Sequence, residues 1–261
     1  MRCIATIIRS HHLMLSQQEQ LRYSRQTMLK GIGEQGQQAL KNARVLIVGV
    51  GGLGNPVSLY LNAAGVGHIY LVDGDSIDIS NLPRQILFND ADIAHNKADT
   101  SAEKLQQLNS STNIEVLDEM LDTELADYYF PLVDLVLDCS DNINTRYLIN
   151  QKCLEHKKPL VIGAATGFDG QHMFVNPNEA DSACYQCLFP VDKKAPENNC
   201  QTLGILGPVL AIIGGMQALQ AIKFLTGHVV ATNQLNIFDG LSNSWQQFKL
   251  KKQSTCPACS L

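Results

Sequence analysis

Little in this chain would tie it to a bilayer or to nucleic acid. No apolar stretch runs unbroken for the roughly 18–20 residues a membrane crossing needs. The longest candidate, Ile205 to Leu225, is interrupted by Gly207-Pro208, Gly214-Gly215, Gln217, Gln220 and Lys223, and reads as a buried helix. There is no basic run, and a formal charge of −5 argues against a general nucleic-acid surface. Met1 to Leu13 holds one short apolar patch and no small-residue cleavage site, so it is not read as a secretory signal. Internal repeats and low-complexity segments are also missing. Apolar residues make up 45% of 261, which suits one globular α/β domain with a large core.

The expected organisation is an extension over residues 1–15, disordered or an artefact of start-site choice, and a single domain over 16–261. Ser16 with Glu19 three residues later forms a capping-box pattern at the start of that domain. Helical periodicity predicts a helix over Ser16 to Lys30 and another over Glu34 to Asn42. Strands and helices then alternate. Strands are expected at Val45–Val48, Ile69–Val72, Ile114–Leu117, Leu135–Asp138 and Leu160–Gly163, and helices at Leu53–Ala64, Ala94–Leu108 and Ile143–His156. Near-continuous apolar strands in such alternation imply a Rossmann-like, mostly parallel sheet with helices on both faces. Past the turn Gly167-Phe168-Asp169-Gly170 the pattern changes to strands Gln171–Val175, Leu235–Phe238 and Ser244–Leu250, which extend the sheet as antiparallel hairpins around the long helix. The polar stretch Val191 to Thr202 reads as a mobile crossing loop.

The strand Val45–Val48 runs into Gly49-Val50-Gly51-Gly52-Leu53-Gly54, and Asp73 follows 19 residues beyond Gly54. This is a strand, a phosphate-binding turn, a helix and a ribose-binding carboxylate. The glycines supply backbone angles a Cβ opposes and let N–H groups approach a phosphate, while the helix start adds free donors. Such a turn alone is weak evidence for any one nucleotide. An NAD site has no use for Arg84 and Lys97 converging on a phosphate chain, whereas ATP does. The less favoured alternative for each of these two cations, taken singly, is a solvated surface residue. A reaction that builds charge on the α-phosphate needs cations and a carboxylate for Mg²⁺, for which Asp138 or Asp141 at the end of a strand is placed.

Eight cysteines without a secretory signal imply a reducing compartment, the cytoplasm, where paired thiols more often hold metal than form disulfides. Cys184-Tyr185-Gln186-Cys187 and Cys256-Pro257-Ala258-Cys259 each offer two thiolates, and together they close a tetrahedral, structural zinc shell. Either pair alone would also fit a redox motif. Cys139 and Cys153 fall on apolar positions and read as core. Cys200 lies in the polar loop near Lys193 and Lys194, where a thiolate is favoured, and its catalytic role is open on these grounds.

These elements together resemble the adenylating domain of the ubiquitin-activating-enzyme superfamily, in its ThiF/MoeB/HesA branch. The resemblance rests on Arg22-Tyr23-Ser24-Arg25-Gln26, the glycine turn, Asp73 to Gln85, Lys97, Asp138-Cys139-Ser140-Asp141-Asn142, both CxxC pairs and the helix after Gly207-Pro208, spread over Ser16 to Cys259. It implies ATP-dependent adenylation of the C-terminal glycine of a small ubiquitin-like sulfur carrier, with release of pyrophosphate. It further implies Gly52 against the phosphates, Asp73 on the ribose, Asn81, Arg84 and Lys97 on the triphosphate and Asp141 on Mg²⁺. Arg25 would reach into the other subunit's site of a homodimer. Residues 16–166 would be the nucleotide-binding half and 167–261 the carrier-binding half, with the zinc site and a crossover loop over 190–203. Asn199 to Pro208 is more similar to the thiamine-pathway members, in which the cysteine at position 200 joins the carrier through an acyl persulfide, than to the molybdopterin-pathway members. With no rhodanese segment before Leu261, sulfur would come from a separate donor protein. The competing readings are an NAD-dependent dehydrogenase, which leaves Arg84, Lys97 and both CxxC pairs unexplained, and a scaffold that docks a carrier without activating it.

Overall fold

In the computed structural model, residues 15–191 and 204–260 are described. Eight strands form one sheet in the order β3-β2-β1-β4-β5-β6-β7-β8. These are β1 (Arg44–Val48), β2 (His68–Val72), β3 (Asn113–Leu117), β4 (Leu135–Asp138), β5 (Leu160–Thr166), β6 (Asp169–Val175), β7 (Gln234–Asp239) and β8 (Ser244–Lys249). The first five run parallel, and β6 to β8 add on antiparallel, as expected.

Because successive side chains point to opposite faces, each apolar strand feeds two cores. Val45, Ile47, Ile69, Leu71, Leu135 and Leu137 pack on one side, with α3 (Gly33–Asn42), α4 (Gly54–Ala64), α5 (Lys97–Leu108) and α9 (Gly207–Leu225). Leu46, Val48, Tyr70, Val72 and Val136 face the other, with α6 (Thr123–Tyr129), α7 (Ile143–Glu155) and α8 (Tyr185–Leu188). Helix α9 is long and apolar enough to cross a membrane by composition, with a hydropathy of 1.4. It serves instead as a core helix: Val209, Leu210, Ile213, Gln217, Ala218 and Ala221 are buried, and it packs on α4, β5 and β6.

Three expectations need correction. The single helix over Ser16 to Lys30 is two short ones, α1 (Gln17–Arg22) and α2 (Ser24–Thr27). The break is at Tyr23, whose backbone leaves the helical region so that its buried hydroxyl can accept from Asn109 Nδ2 at 2.9 Å. The Ser16–Glu19 capping box is present. Helix α5 begins at Lys97 and not at Ala94, because Ala94 has φ 71° and Asn96 caps the helix by accepting from the N–H groups of Ala98 and Asp99. Helix α6, capped by Asp122, was not expected. Turn Gly167-Phe168 closes the β5–β6 hairpin, and Gly167 then meets the chain again at Ile205.

Candidate active site

Beta strands β1 and β4 are neighbours, yet their connections leave to opposite sides, which opens a crevice at their carboxyl ends. Gly49 turns there with φ 86°, and a Cβ on it would sit 2.8 Å from the Cys139 carbonyl oxygen. A Cβ on Gly54 would overlap the Gly49 carbonyl, so the turn closes only with glycine at both places. Asp73 holds this turn: Oδ2 accepts from the Val50 N–H at 2.7 Å and Oδ1 from the Asp75 N–H at 3.0 Å. Burial pushes its carboxyl up, opposed by Lys97 and those two N–H groups. The turn's shape and the Asp73 carboxylate are thus one unit.

A cavity of about 420 Å³ opens over the turn, and its lining brings together Gly52, Asp73, Arg84, Lys97 and Asp141. Lys97 is buried, with Nζ 2.8 Å from Asp75 Oδ2. Arg84 Nη1 donates to the Ser80 carbonyl at 2.7 Å. Asn81 is not in the lining; its Oδ1 accepts from the Asp78 N–H at 3.2 Å and closes the 3₁₀ turn before Arg84. Arg25 is exposed on α2 and also lies outside the lining. Cys200 and most of the 190–203 loop fall outside the described residues.

Structure separates the two carboxylates left open for Mg²⁺. Asp138 is fully buried and its Oδ1 accepts from the Ser140 N–H at 3.0 Å and hydroxyl at 2.6 Å, while burial pushes its carboxyl up. Asp141 is exposed at the cavity wall, where an oxygen-seeking cation can reach it. The cavity also takes in Gln85, to which the sequence motif assigned no role, and Thr145 and Arg146, which sequence reasoning missed. Gln85 is buried beside Gly51, and its Oε1 has no hydrogen-bond partner among the described residues. Thr145 and Arg146 sit in the first turn of α7, and the Asn142 cap was their available signal. A second cleft of about 290 Å³ shares Asp141, Arg146 and Ala165 and continues along Thr166, Gln171 and Ile237.

Far along the chain from this crevice, the four paired cysteines converge. Their sulfurs lie within 4.8 Å of one another, with Cys184–Cys256 at 3.6 Å and Cys187–Cys259 at 3.4 Å. A tetrahedral Zn²⁺ with bonds of about 2.3 Å spaces its sulfurs about 3.8 Å apart, so the set fits the ion. Burial, then the neighbouring Cys187, pushes the Cys184 thiol up to about 11, which a bound cation would reverse. Cys139 and Cys153 are buried, as expected of core thiols.

A doubly wound sheet with a glycine turn, and with Arg84, Lys97, Asp73 and Asp141 around one cavity, defines a nucleotide-binding α/β enzyme. Residues 23–258 match the ThiF family, and the chain belongs to it; it is an adenylyltransferase. It is 44% identical over 239 residues to the Escherichia coli (strain K12) protein named sulfur carrier protein ThiS adenylyltransferase, covering 92% of this chain and 94% of that one. It is also 42% identical to adenylyltransferase and sulfurtransferase MOCS3 of Culex quinquefasciatus, but spans 56% of that longer protein. A crystal structure of E. coli MccB with ATP superposes with a TM-score of 0.80 at 23% identity, over 92% of this chain and 75% of that one, a likeness of fold.

Proposed function

We propose that this chain uses ATP to adenylate the C-terminal carboxylate of a small ubiquitin-like sulfur carrier, with a ThiS-like carrier of thiamine thiazole synthesis as its substrate. The observation that carries the reading is the single cavity joining Gly52, Asp73, Arg84, Lys97 and Asp141. A carboxylate oxygen attacks the α-phosphorus, the bond to the β-phosphate oxygen breaks, and pyrophosphate leaves. The nucleophile is already ionised, so no general base is needed; the obstacle is repulsion between anions. Arg84 and Lys97 offset it, Asp73 orients the ribose, and Asp141 would hold Mg²⁺, which supplies further charge neutralisation when bound. The adjoining cleft past Ala165 and Gln171 is where the carrier's tail would enter.

Exposure of Arg25, flanked by exposed Leu21, Met28 and Leu29, supports a homodimer in which Arg25 completes the other subunit's site. The fit of four sulfurs supports one structural Zn²⁺ per chain. Cys200 would act after adenylation, with sulfur from a separate protein. Similarity to the ThiS adenylyltransferase along nearly its whole length favours the thiamine carrier, while the comparable identity to MOCS3 keeps a molybdopterin-type carrier as the second reading. Pyrophosphate exchange with ATP, Mg²⁺ and each purified carrier tests this. Exchange with the ThiS-like carrier is expected; exchange with the molybdopterin carrier alone would reassign the substrate. Cys200→Ala is expected to exchange at the normal rate yet fail in sulfur transfer.

A further inference from the structure

Among the described residues, the cavity lining holds four carboxylates against three cations, an excess of negative charge in a space read as taking a polyanion. The Asp73 carboxylate fixes the glycine turn and Asp141 is exposed at the cavity wall, but the Asp75 carboxylate has no part in either. Instead Asp75 Oδ2 lies 2.8 Å from Lys97 Nζ, and among the described residues it is the one hydrogen-bond acceptor that this ammonium meets. Lys97 needs that charge. It is buried, and it is the first residue of α5, where the helix dipole repels a cation. Backbone bonds hold the two residues opposite each other. The Lys97 N–H donates to the Asp75 carbonyl at 2.9 Å, the Asp75 N–H donates to Asp73 Oδ1 at 3.0 Å, and Ser76 bridges Asn96. Their side chains differ in freedom: that of Lys97 is 9% exposed and that of Asp75 59%. The cation is enclosed beside the cavity, while the anion can turn to water.

We propose that Asp75 is a displaceable counterion for Lys97: it covers the ammonium in the free protein, gives way to the phosphate chain of the nucleotide, and returns when pyrophosphate leaves. A phosphate oxygen that reaches Nζ meets the Asp75 carboxylate there. The two anions repel, and the exposed carboxylate is the one that moves. Because the ion pair must be broken before Lys97 can take a phosphate, the polyphosphate binds more weakly than an uncovered ammonium would hold it. Release of pyrophosphate is favoured by the same amount. The arrangement keeps a cation in place for the charge of the reaction without trapping the product. This inference rests on the adenylation reading for its ligand.

Calorimetric titration of the full chain with inorganic pyrophosphate in magnesium-free buffer tests the exchange. Asp75→Asn keeps the size of the side chain and removes its charge. Its Kd for pyrophosphate is expected to fall about three- to tenfold, and Asp75→Ala is expected to do the same, so that either variant decides the matter. The gain comes from a less stable free protein. Both variants are therefore expected to melt about 2–4 °C below the parent without ligand and to be raised further than the parent by saturating pyrophosphate. In a Lys97→Met background, adding Asp75→Asn is expected to leave Kd unchanged, since no ammonium remains to be uncovered. Pyrophosphate affinity that is unchanged or weaker in the Asp75 variants would overturn the proposal. An equal gain in the Lys97→Met background would also overturn it, tracing the effect to net charge alone. Failure of the unaltered protein to bind either pyrophosphate or Mg·ATP would instead sink the adenylation reading.

Discussion

Gly65 ends α4 in the left-handed region, φ 86°, and an added Cβ would come within 2.5 Å of the Tyr23 ring. Gly65→Ala therefore adds backbone strain of about 1 kcal/mol to displacement of Tyr23 from Asn109, and a loss of about 2–4 kcal/mol is expected in urea unfolding. His172 is buried and burial lowers it to about 4 from 6.5. Protons then bind the unfolded chain more readily, so stability falls as pH drops from about 6.5 to about 4, by up to about 3 kcal/mol. His172→Phe should flatten that part of the stability–pH curve. At the cavity, Asp141→Ala is expected to reduce pyrophosphate exchange by more than about a thousandfold while the melting temperature holds, since Asp141 is exposed. A melting point that fell in step with activity would show a structural role instead.

Among the long helices, α9 is the most apolar, yet it buries a glutamine. Gln217 is fully buried, with Nε2 donating to the Asp138 carbonyl at 2.8 Å. Gln217→Leu strands that carbonyl in the core, and a cost of about 2–3 kcal/mol with weaker nucleotide binding is expected; guanidinium unfolding and calorimetry would read both. Periodicity marked this helix and all eight strands: a two-face core forces apolar residues into the central ones, while the edge strand β8 is mostly exposed and showed only the spaced aromatics Trp245 and Phe248. It failed at Tyr23 and Ala94, where side-chain docking and a left-handed residue override helix propensity. Helix α6 escaped notice because its seven residues bury only Ala126 and so carry hardly any apolar stripe.

At the scale of the whole molecule, Cys256 and Cys259 tie the far end of the chain to Cys184 and Cys187, 72 residues back. Extraction by a strong chelator is expected to release about one zinc per chain, lower the melting temperature by more than about 10 °C and expose the segment after β8 to protease. Retention of full stability without metal would contradict a structural ion.

Local chemistry alone was enough to place the glycine turn, the alternating strands and the thiol pairs, since each follows from backbone angles, side-chain period or ligand spacing between near neighbours. Burying Asp138 while leaving Asp141 exposed at the cavity wall, taking Asn81 out of the lining and adding Thr145 and Arg146 needed the assembled molecule. Burial and convergence are set by segments as distant in the chain as Asn150 and Tyr185, and no pattern within one segment records which others will fold against it.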